Sequence, residues 1–459
     1  MVGLRVIPPR NIRWKGTAVK TVSTLRVVST TDTAEQLERL GVADLPAEVQ
    51  LALSDITSVA QEGLLAMSVA AGMAVMRTMF DAEITAACGP KGRHDADRTA
   101  TRHGRERGSV VLGGRRVPVT RPRARTSDGH EVVLPAYRLF AGEDQLTAVV
   151  MQRMLAGLAT RRHTAAAEPV GADVEAAASA TSRSAISRRF VAQTKTALAQ
   201  LLARDLAELD IKVLMVDGEH IAEHCCVVAL AITADGTKVP VGLWEGSTEN
   251  KTVVTHLLAD LVSRGLDAED GLLVVIDGAK ALSSAVKAVF GSRAAIQRCT
   301  VHKRRNVAEH LPESERNWVD LKLVRALNNP DAAAGLRDAK ALAATLERKH
   351  PGAAASLREG LEELFTVARL GIAGTLAKTL ISSNPIESMI SIARTTNRNV
   401  ARWRDGQMVL RWTAAGLLNA QRSFRRVKGY KQMPQLIAAL RRHAHPAAAR
   451  SPETVAAAA

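Results

Sequence analysis

The chain has 459 residues, more than one ordinary hydrophobic core organises, so two or three domains with at least one sizeable core are expected. Its 62 lysines and arginines outweigh 46 aspartates and glutamates, and the formal charge of +16 with a pI near 10.2 favours a polyanionic partner, of which nucleic acid is the usual one. The longest uncharged apolar-rich run, Gly63 to Met76, is shorter than the ~20 residues of a membrane span. The basic N-terminus lacks the apolar stretch of a secretory signal, which predicts a cytoplasmic protein without a membrane partner.

Residues 1–30 mix Pro8, Pro9, Arg and Thr without periodicity; they read as a disordered basic arm or an upstream extension, and no role is assigned to them. From Thr33 to Ala87, Leu40, Leu45, Val49, Leu53, Val59, Leu64 and Val69 recur at helical spacing. Between Lys91 and Arg125, eleven basic residues face only Asp95, Asp97 and Glu106. That excess is a phosphate-binding footprint, with Arg115, Arg116, Arg121 and Arg123 as DNA-contacting candidates and a solvated basic loop as the alternative. Within it, Ser109 to Thr120 predicts a small hairpin turning at Gly113-Gly114. After an Ala-rich run, Ser182 is a candidate N-cap for a short helix with Ile186, Phe190 and Val191 inward and Arg183, Arg188 and Arg189 outward. Such a helix suits the second position of a helix-turn-helix near 170–195, and an ordinary surface helix fits equally well. Residues 31–205 are therefore expected to form a mainly α-helical DNA-binding region.

The clearest pattern follows Asp210. Val213-Leu-Met-Val216 leads into Asp217, Cys225 to Thr233 is almost unbroken apolar, and Val239 to Trp244 follows the turn signal Ala234-Asp-Gly236, which predicts three consecutive antiparallel strands. A helical segment from Lys251 to Val262, the strand Leu272-Leu-Val-Val-Ile276 ending at Asp277-Gly278, and a further strand from Ala294 to Cys299 complete the order of a ribonuclease-H-like α/β sheet. A carboxylate directly after a continuous apolar run is costly to bury unless its charge is compensated, and a metal ion compensates it. Two strand-end aspartates joined by a carboxylate from a later helix can hold two Mg²⁺, with Mn²⁺ as a substitute. The third candidate is Glu387 in Ile381-Ser-Ser-Asn-Pro-Ile-Glu-Ser-Met389, where Ser383 or Asn384 caps and Pro385 occupies the first turn. The stretch between Asp277 and Glu387 is too long for one crossover, and its leucine spacing predicts a helical insertion over 311–375 inside a catalytic domain formed by 206–310 and 376–400.

Cysteines are few: Cys88, Cys225, Cys226 and Cys299, spaced as reduced thiols rather than a disulfide framework. Cys299-x-x-His302 is half of a zinc motif without a second pair at suitable spacing, so no structural zinc is expected there. Lys303 and Arg304, on the same helix, are candidate phosphate contacts. Residues 401–459 read as a basic helical tail. From Arg394 to Arg442, twelve basic residues stand against Asp405 alone, with Arg402 and Arg404 as DNA-contacting candidates.

Taken together, the strand ending in Asp217, Gly-Leu-Trp-Glu-Gly-Ser-Thr-Glu249, Val-Val-Ile-Asp277-Gly, Gln-Arg-Cys299-Thr-Val-His302, Asn384-Pro-Ile-Glu387-Ser and Arg402-Trp-Arg-Asp-Gly-Gln-Met408 resemble the DDE-class transposases of Mutator-type bacterial insertion sequences. The resemblance spans roughly Asp81 to Leu440. It implies that Asp217, Asp277 and Glu387 are the catalytic metal ligands, that Cys299, His302 and Arg394 lie beside the active site, and that the insertion is part of the catalytic fold. It further implies an enzyme that binds terminal inverted repeats and target DNA, cuts and joins strands by two-metal phosphoryl transfer, and works on the nucleoid as a homodimer or larger assembly. Two other readings stand beside it: a ribonuclease-H-like nuclease or resolvase, and a DNA-binding regulator without catalysis.

Overall fold

The computed structural model describes residues 69–112, 115–162, 172–179, 182–246, 250–398 and 400–446. The arm expected at 1–30, the helical spacing before residue 69 and the glycine pair at 113–114 lie outside the described residues. Of two compact units, Met1–Met73 with Pro169–Gly171 and Ala74–Glu168 with Ala172–Ala459, only the second is described at length.

A helix α1 (69–88) precedes the antiparallel pair β1 (Ala100–Leu112) and β2 (Arg115–Thr126), whose register runs from Leu112↔Arg115 to Ala100↔Thr126. This hairpin is about twice the length predicted. In β2, Val117, Val119 and Ala124 are buried and set a face, whereas Thr101 to Arg107 in β1 is exposed and polar throughout, so pairing with β2 holds it extended without an apolar alternation to announce it. Short helices α2 (Pro135–Ala141), α3 (Glu143–Leu155) and α4 (Ala172–Ala177) lead to α5 (Arg183–Leu202). There Ser182 caps as predicted, its hydroxyl accepting from the Ala185 amide at 3.2 Å. The helix is twenty residues long, and its buried face is Ile186, Phe190, Thr194, Ala197 and Leu201 at three- and four-residue spacing, with Val191 half-buried.

The second half of the chain forms a mixed sheet of five strands: β3 (Ile211–Ile221), β4 (His224–Thr233), β5 (Lys238–Gly246), β6 (Leu272–Ile276) and β7 (Ala294–Arg298), in the order β5-β4-β3-β6-β7. The β3–β4 and β4–β5 pairs are antiparallel and β3–β6 and β6–β7 parallel. Between β4 and β5, Gly236 adopts φ 83°, the left-handed turn that favours glycine. Alternation splits β3 cleanly. Leu214 and Val216 face a core shared with α6 (Lys251–Ser263) and α7 (Lys280–Phe290), through Leu257, Leu258, Leu261, Leu282 and Val286. Val213 and Met215 face the opposite core. With both faces covered, these strands are continuous apolar runs.

Beyond β7 the chain is helical: α8 (Thr300–Glu309), α9 (Glu313–Leu327), α10 (Ala332–Glu347), α11 (Pro351–Arg358), α12 (Thr366–Arg369), α13 (Gly374–Leu380), α14 (Asn384–Asn397), α15 (Gly406–Gln421) and α16 (Met433–Ala444). Helices α8 to α11 and the 3-10 turn before α12 build a core of their own from Val307, Leu323, Leu342, Leu346, Leu357 and Phe365. Helices α14 to α16 close the second face of the sheet with Met389, Ile390, Val409, Leu417, Leu436 and Leu440. Over 406–444, then, the segment read as a basic tail is a wall of the main core: Arg441 and Arg442 mark the outer face of α16, Arg422, Arg425 and Arg426 lie in the connection before it, and Arg411 is buried, donating to Thr194 Oγ1 at 3.0 Å. Trp412 packs on Phe190 at 4.4 Å between ring centroids, so α5 is docked against α15. No helix among the described residues is long and apolar enough to cross a membrane.

Candidate active site

The parallel ladder between β3 and β6 ends at the pair Val216↔Ile276, and the next residue on each strand is an aspartate. Asp277 follows β6, as predicted, and Gly278 beyond it takes φ 130°, a conformation that strains other residues and turns the chain toward α7. Asp217 is not at a strand end. β3 continues to Ile221 because its pairing with β4 outlasts the β6 ladder, so the carboxylate projects from mid-strand at the level where β6 stops. It is 9% exposed. Burial, followed by the nearby negative charge of Asp277, lifts its pKa to about 7; Glu387 pushes the same way and His302 opposes. Its one hydrogen bond among the described residues is from the adjacent Gly218 amide, 3.0 Å from Oδ1. Asp277 Oδ1 accepts from the Ala279 amide at 2.9 Å.

Backbone hydrogen bonds draw the third carboxylate in from far along the chain. The Cys299 amide donates to Ile276 O at 2.7 Å, which sets the end of β7 beside Asp277. Both the amide and hydroxyl of Thr300 donate to Ile381 O, at 2.9 and 3.1 Å, tying the start of α8 to the loop that opens α14. Glu387 lies in the first turn of α14 behind Pro385, as predicted, but Ser383 at the N-cap makes no side-chain cap. Its hydroxyl instead donates to Glu387 Oε1 and lies 3.3 Å from both Cys299 Sγ and His302 Nδ1.

Cys299, His302 and Glu387 form a tight group, each offering a ligand atom within 4.8 Å of the others. Burial works to raise the Cys299 thiol, but hydrogen bonds with His302 and Ser383 outweigh it and bring its pKa down to about 7. The same bond to Cys299 holds His302 at about 9 against the lowering effect of burial, with Glu387 and Asp217 adding to the rise. Two cations therefore stand near Asp217 and Glu387: His302, and Arg394, which is already paired with Glu219. Negative charge remains in excess around Asp217, and its oxygen donors suit a hard divalent cation. In donor type the carboxylates suit Mg²⁺, although among the described residues Asp217 and Asp277 lie outside the tight group of Cys299, His302 and Glu387.

Other predicted contacts are less available for DNA. Lys303 is a correction: it is 3% exposed and its ammonium donates to Ser356 O at 2.6 Å and Glu359 O at 2.8 Å, tying α8 to the end of α11, so it cannot reach a phosphate without breaking the fold. Arg304 pairs with Asp320 through two 2.6 Å bonds. Arg115 is buried, and Arg116 donates to Ser109 Oγ at 2.9 Å. Arg121 pairs with Glu106 at 2.8 Å and stacks over Tyr137, and Arg123 is bidentate on Glu131. Arg183, Arg188, Arg402 and Arg404 are exposed, and Arg189 is half-buried. Arg394 makes a bidentate pair with buried Glu219, at 2.6 Å from Nε, so Glu219 already has its cation.

Arg298 escaped the sequence reading. Its side chain, 6% exposed, donates to Gly278 O and to Glu363 at 2.6 Å each and so braces the turn after Asp277. The signal was its position, a buried charge inside a strand directly before Cys299.

The profile of the family described as "Transposase, Mutator family" matches residues 47–426. The chain is 31% identical over 212 residues to the transposase for insertion sequence element IS6120 of Mycolicibacterium smegmatis, covering 45% of this chain and 64% of that protein. It is 30% identical over 220 residues to the probable transposase for insertion sequence element ISRM3-like of Sinorhizobium fredii, covering 47% and 53%. With the transposase for IS256 in transposon Tn4001 of Staphylococcus aureus it shares 25% over 285 residues, 58% and 67% of the two chains. The alignments with the first two thus span between half and two thirds of those relatives.

Proposed function

The chain belongs to the Mutator family of transposases, and from that premise we propose that it is an insertion-sequence transposase that binds the terminal inverted repeats of its element and catalyses cleavage and transfer of DNA strands. The observation that carries the reading is Asp217, a buried carboxylate without a cation of its own, at the ladder end where Asp277 and Glu387 converge. The strand order β5-β4-β3-β6-β7, with three antiparallel strands first and two parallel strands after, supports a ribonuclease-H-like fold for the catalytic part.

Asp217, Asp277 and Glu387 would hold Mg²⁺, or Mn²⁺ in its place. When bound, the ions activate the attacking hydroxyl and stabilise charge on the leaving oxygen of an in-line phosphoryl transfer. The protein's own part is positioning. Asp277 is fixed by the Ala279 amide and Glu387 by Ser383, while His302, held protonated by Cys299 and the carboxylates, limits the repulsion that gathering three acids creates. Arg298 keeps the Asp277–Gly278 turn from relaxing away from β3. The partners are duplex DNA at the element ends and at the target, with a homodimer or larger assembly pairing two ends on the nucleoid.

A strand-transfer assay with candidate element ends tests the reading. Asp217→Asn, Asp277→Asn and Glu387→Gln are each expected to abolish cleavage and joining while DNA binding persists. Near-parental strand transfer by any one of them in Mg²⁺ removes that residue from the ligand set.

A further inference from the structure

On the first turn of α14, next to the face that carries Glu387, a cleft of about 960 Å³ is lined by Lys238, Lys378, Ser382, Asn384, Arg425 and Lys428. Two independent features make it an anion site. All the charged residues lining it are cations, and among the described residues Lys378, Arg425 and Lys428 form no ion pair, whereas the neighbouring Arg426 is engaged with Asp235 at 3.1 Å. The N-terminus of α14 is largely engaged: the Ser383 amide donates to Cys299 Sγ at 3.4 Å, and Pro385 has no amide hydrogen. Ser382, 3% exposed at the edge of that N-terminus, has a buried hydroxyl with no hydrogen-bond partner. A buried unpaired hydroxyl costs stability, and a ligand that supplies an acceptor recovers the loss.

We propose that this cleft holds a backbone phosphate of bound duplex DNA, an inference that rests on the reading of the chain as a DNA-cutting enzyme. Ser382 donates to a phosphate oxygen, and Lys378, Arg425 and Lys428 neutralise its charge. Asn384 and Ser388 line the cleft from the turn that bears Glu387, so the bound phosphate and the reacting one are gripped by one helix end. Thr379 Oγ1 accepts no role in this beyond fixing the frame: it donates to Lys428 O at 3.2 Å and holds the cationic loop against α13.

The test is fluorescence anisotropy of the full-length chain with a labelled duplex of random sequence, in EDTA, across a range of NaCl. The triple variant Lys378→Gln, Arg425→Gln, Lys428→Gln should bind at least about 10-fold more weakly and lower the salt slope by about 1 or more. Ser382→Ala should weaken binding by about 3-fold while leaving the DNA-free melting midpoint unchanged or higher, because it deletes an unpaired hydroxyl. A lowered midpoint would make the hydroxyl structural and remove it from the site. Equal affinity and slope in parent and triple variant would overturn the proposal, even if inorganic phosphate stabilised the parent alone, since the cleft would then be a free-phosphate site. The assay contains no metal and reads no cleavage. A chain that fails to cut DNA can still pass it, and one that cuts can still fail it.

Discussion

Replacing Asp217 with asparagine in metal-free protein should stabilise the fold, and by an amount that grows with pH. The folded-state pKa is raised from 3.8 to about 7, so the folded protein prefers the neutral acid. The associated penalty is absent below the unfolded pKa, accumulates as pH rises through the interval between the two values, and is complete above about 7. A shift of this size corresponds to ~4 kcal/mol at full ionisation, of which roughly 2 kcal/mol is already present near pH 5. Asparagine cannot ionise, so urea unfolding in EDTA should show Asp217→Asn gaining on the parent by a further ~2–3 kcal/mol between about pH 5 and pH 8. Saturating Mg²⁺ should narrow the gap, because ligand at about a hundred times its Kd adds ~2.7 kcal/mol to a protein that binds it and less to one that has lost a ligand. A stability difference that stays flat with pH, or a parent more stable than the variant at pH 8 in EDTA, would refute the placement of Asp217 as a buried, uncompensated carboxylate.

Three further outcomes follow from the same geometry. Arg298→Met leaves Glu363 with Ser283 and the exposed Lys287 and frees the carbonyl of Gly278, so denaturant unfolding should show a loss of about 1–3 kcal/mol, and a loss below about 0.5 kcal/mol would mean that the brace is dispensable. Phe190→Ala opens a cavity against Trp412 and should cost about 3–5 kcal/mol, detectable as a lower urea midpoint at unchanged slope. Purified protein should contain no stoichiometric zinc by elemental analysis, since zinc would have to displace the proton that Cys299 and the nearby carboxylates hold on His302, whose pKa is raised to about 9, and would then find three ligands where a closed site has four; one tightly held zinc per chain, lost in Cys299→Ser, would overturn this.

The sheet was legible because its strands are buried on both sides: runs such as Val213 to Val216 and Leu272 to Ile276 have no other economical fate, and a carboxylate placed directly after each is conspicuous. Glu387 was legible through its local helix start. What places it near Asp217 is the pair of Thr300 bonds to Ile381 O, a long-range contact that no local pattern encodes. Charge misled in a consistent way. Lys303, Arg121, Arg123 and Arg411 were counted as surface cations, yet each spends its charge inside the molecule, on carbonyls, carboxylates or a buried hydroxyl. Composition counts charges, and only the fold shows which are already matched.

That distinction changes how the half of the chain before the sheet can be studied. Residues 31–205 read as a mainly α-helical DNA-binding region, in which the Arg183 helix suits a DNA reader and an ordinary surface helix equally well. Helix α5 instead buries Ile186 and Phe190 against Trp412 and Met408, and Arg411 crosses from α15 to Thr194. Cutting the chain after α5 would strip that cover and leave an apolar stripe in water, at ~25 cal/mol for each Å² exposed. A truncated fragment that fails to bind DNA would then report on a damaged helix as much as on recognition. Charge reversals at exposed Arg183 and Arg188 in the full-length chain separate the two: they leave the buried face intact, so a weaker grip on DNA at unchanged melting temperature assigns the helix to recognition, and unchanged binding assigns it to packing alone.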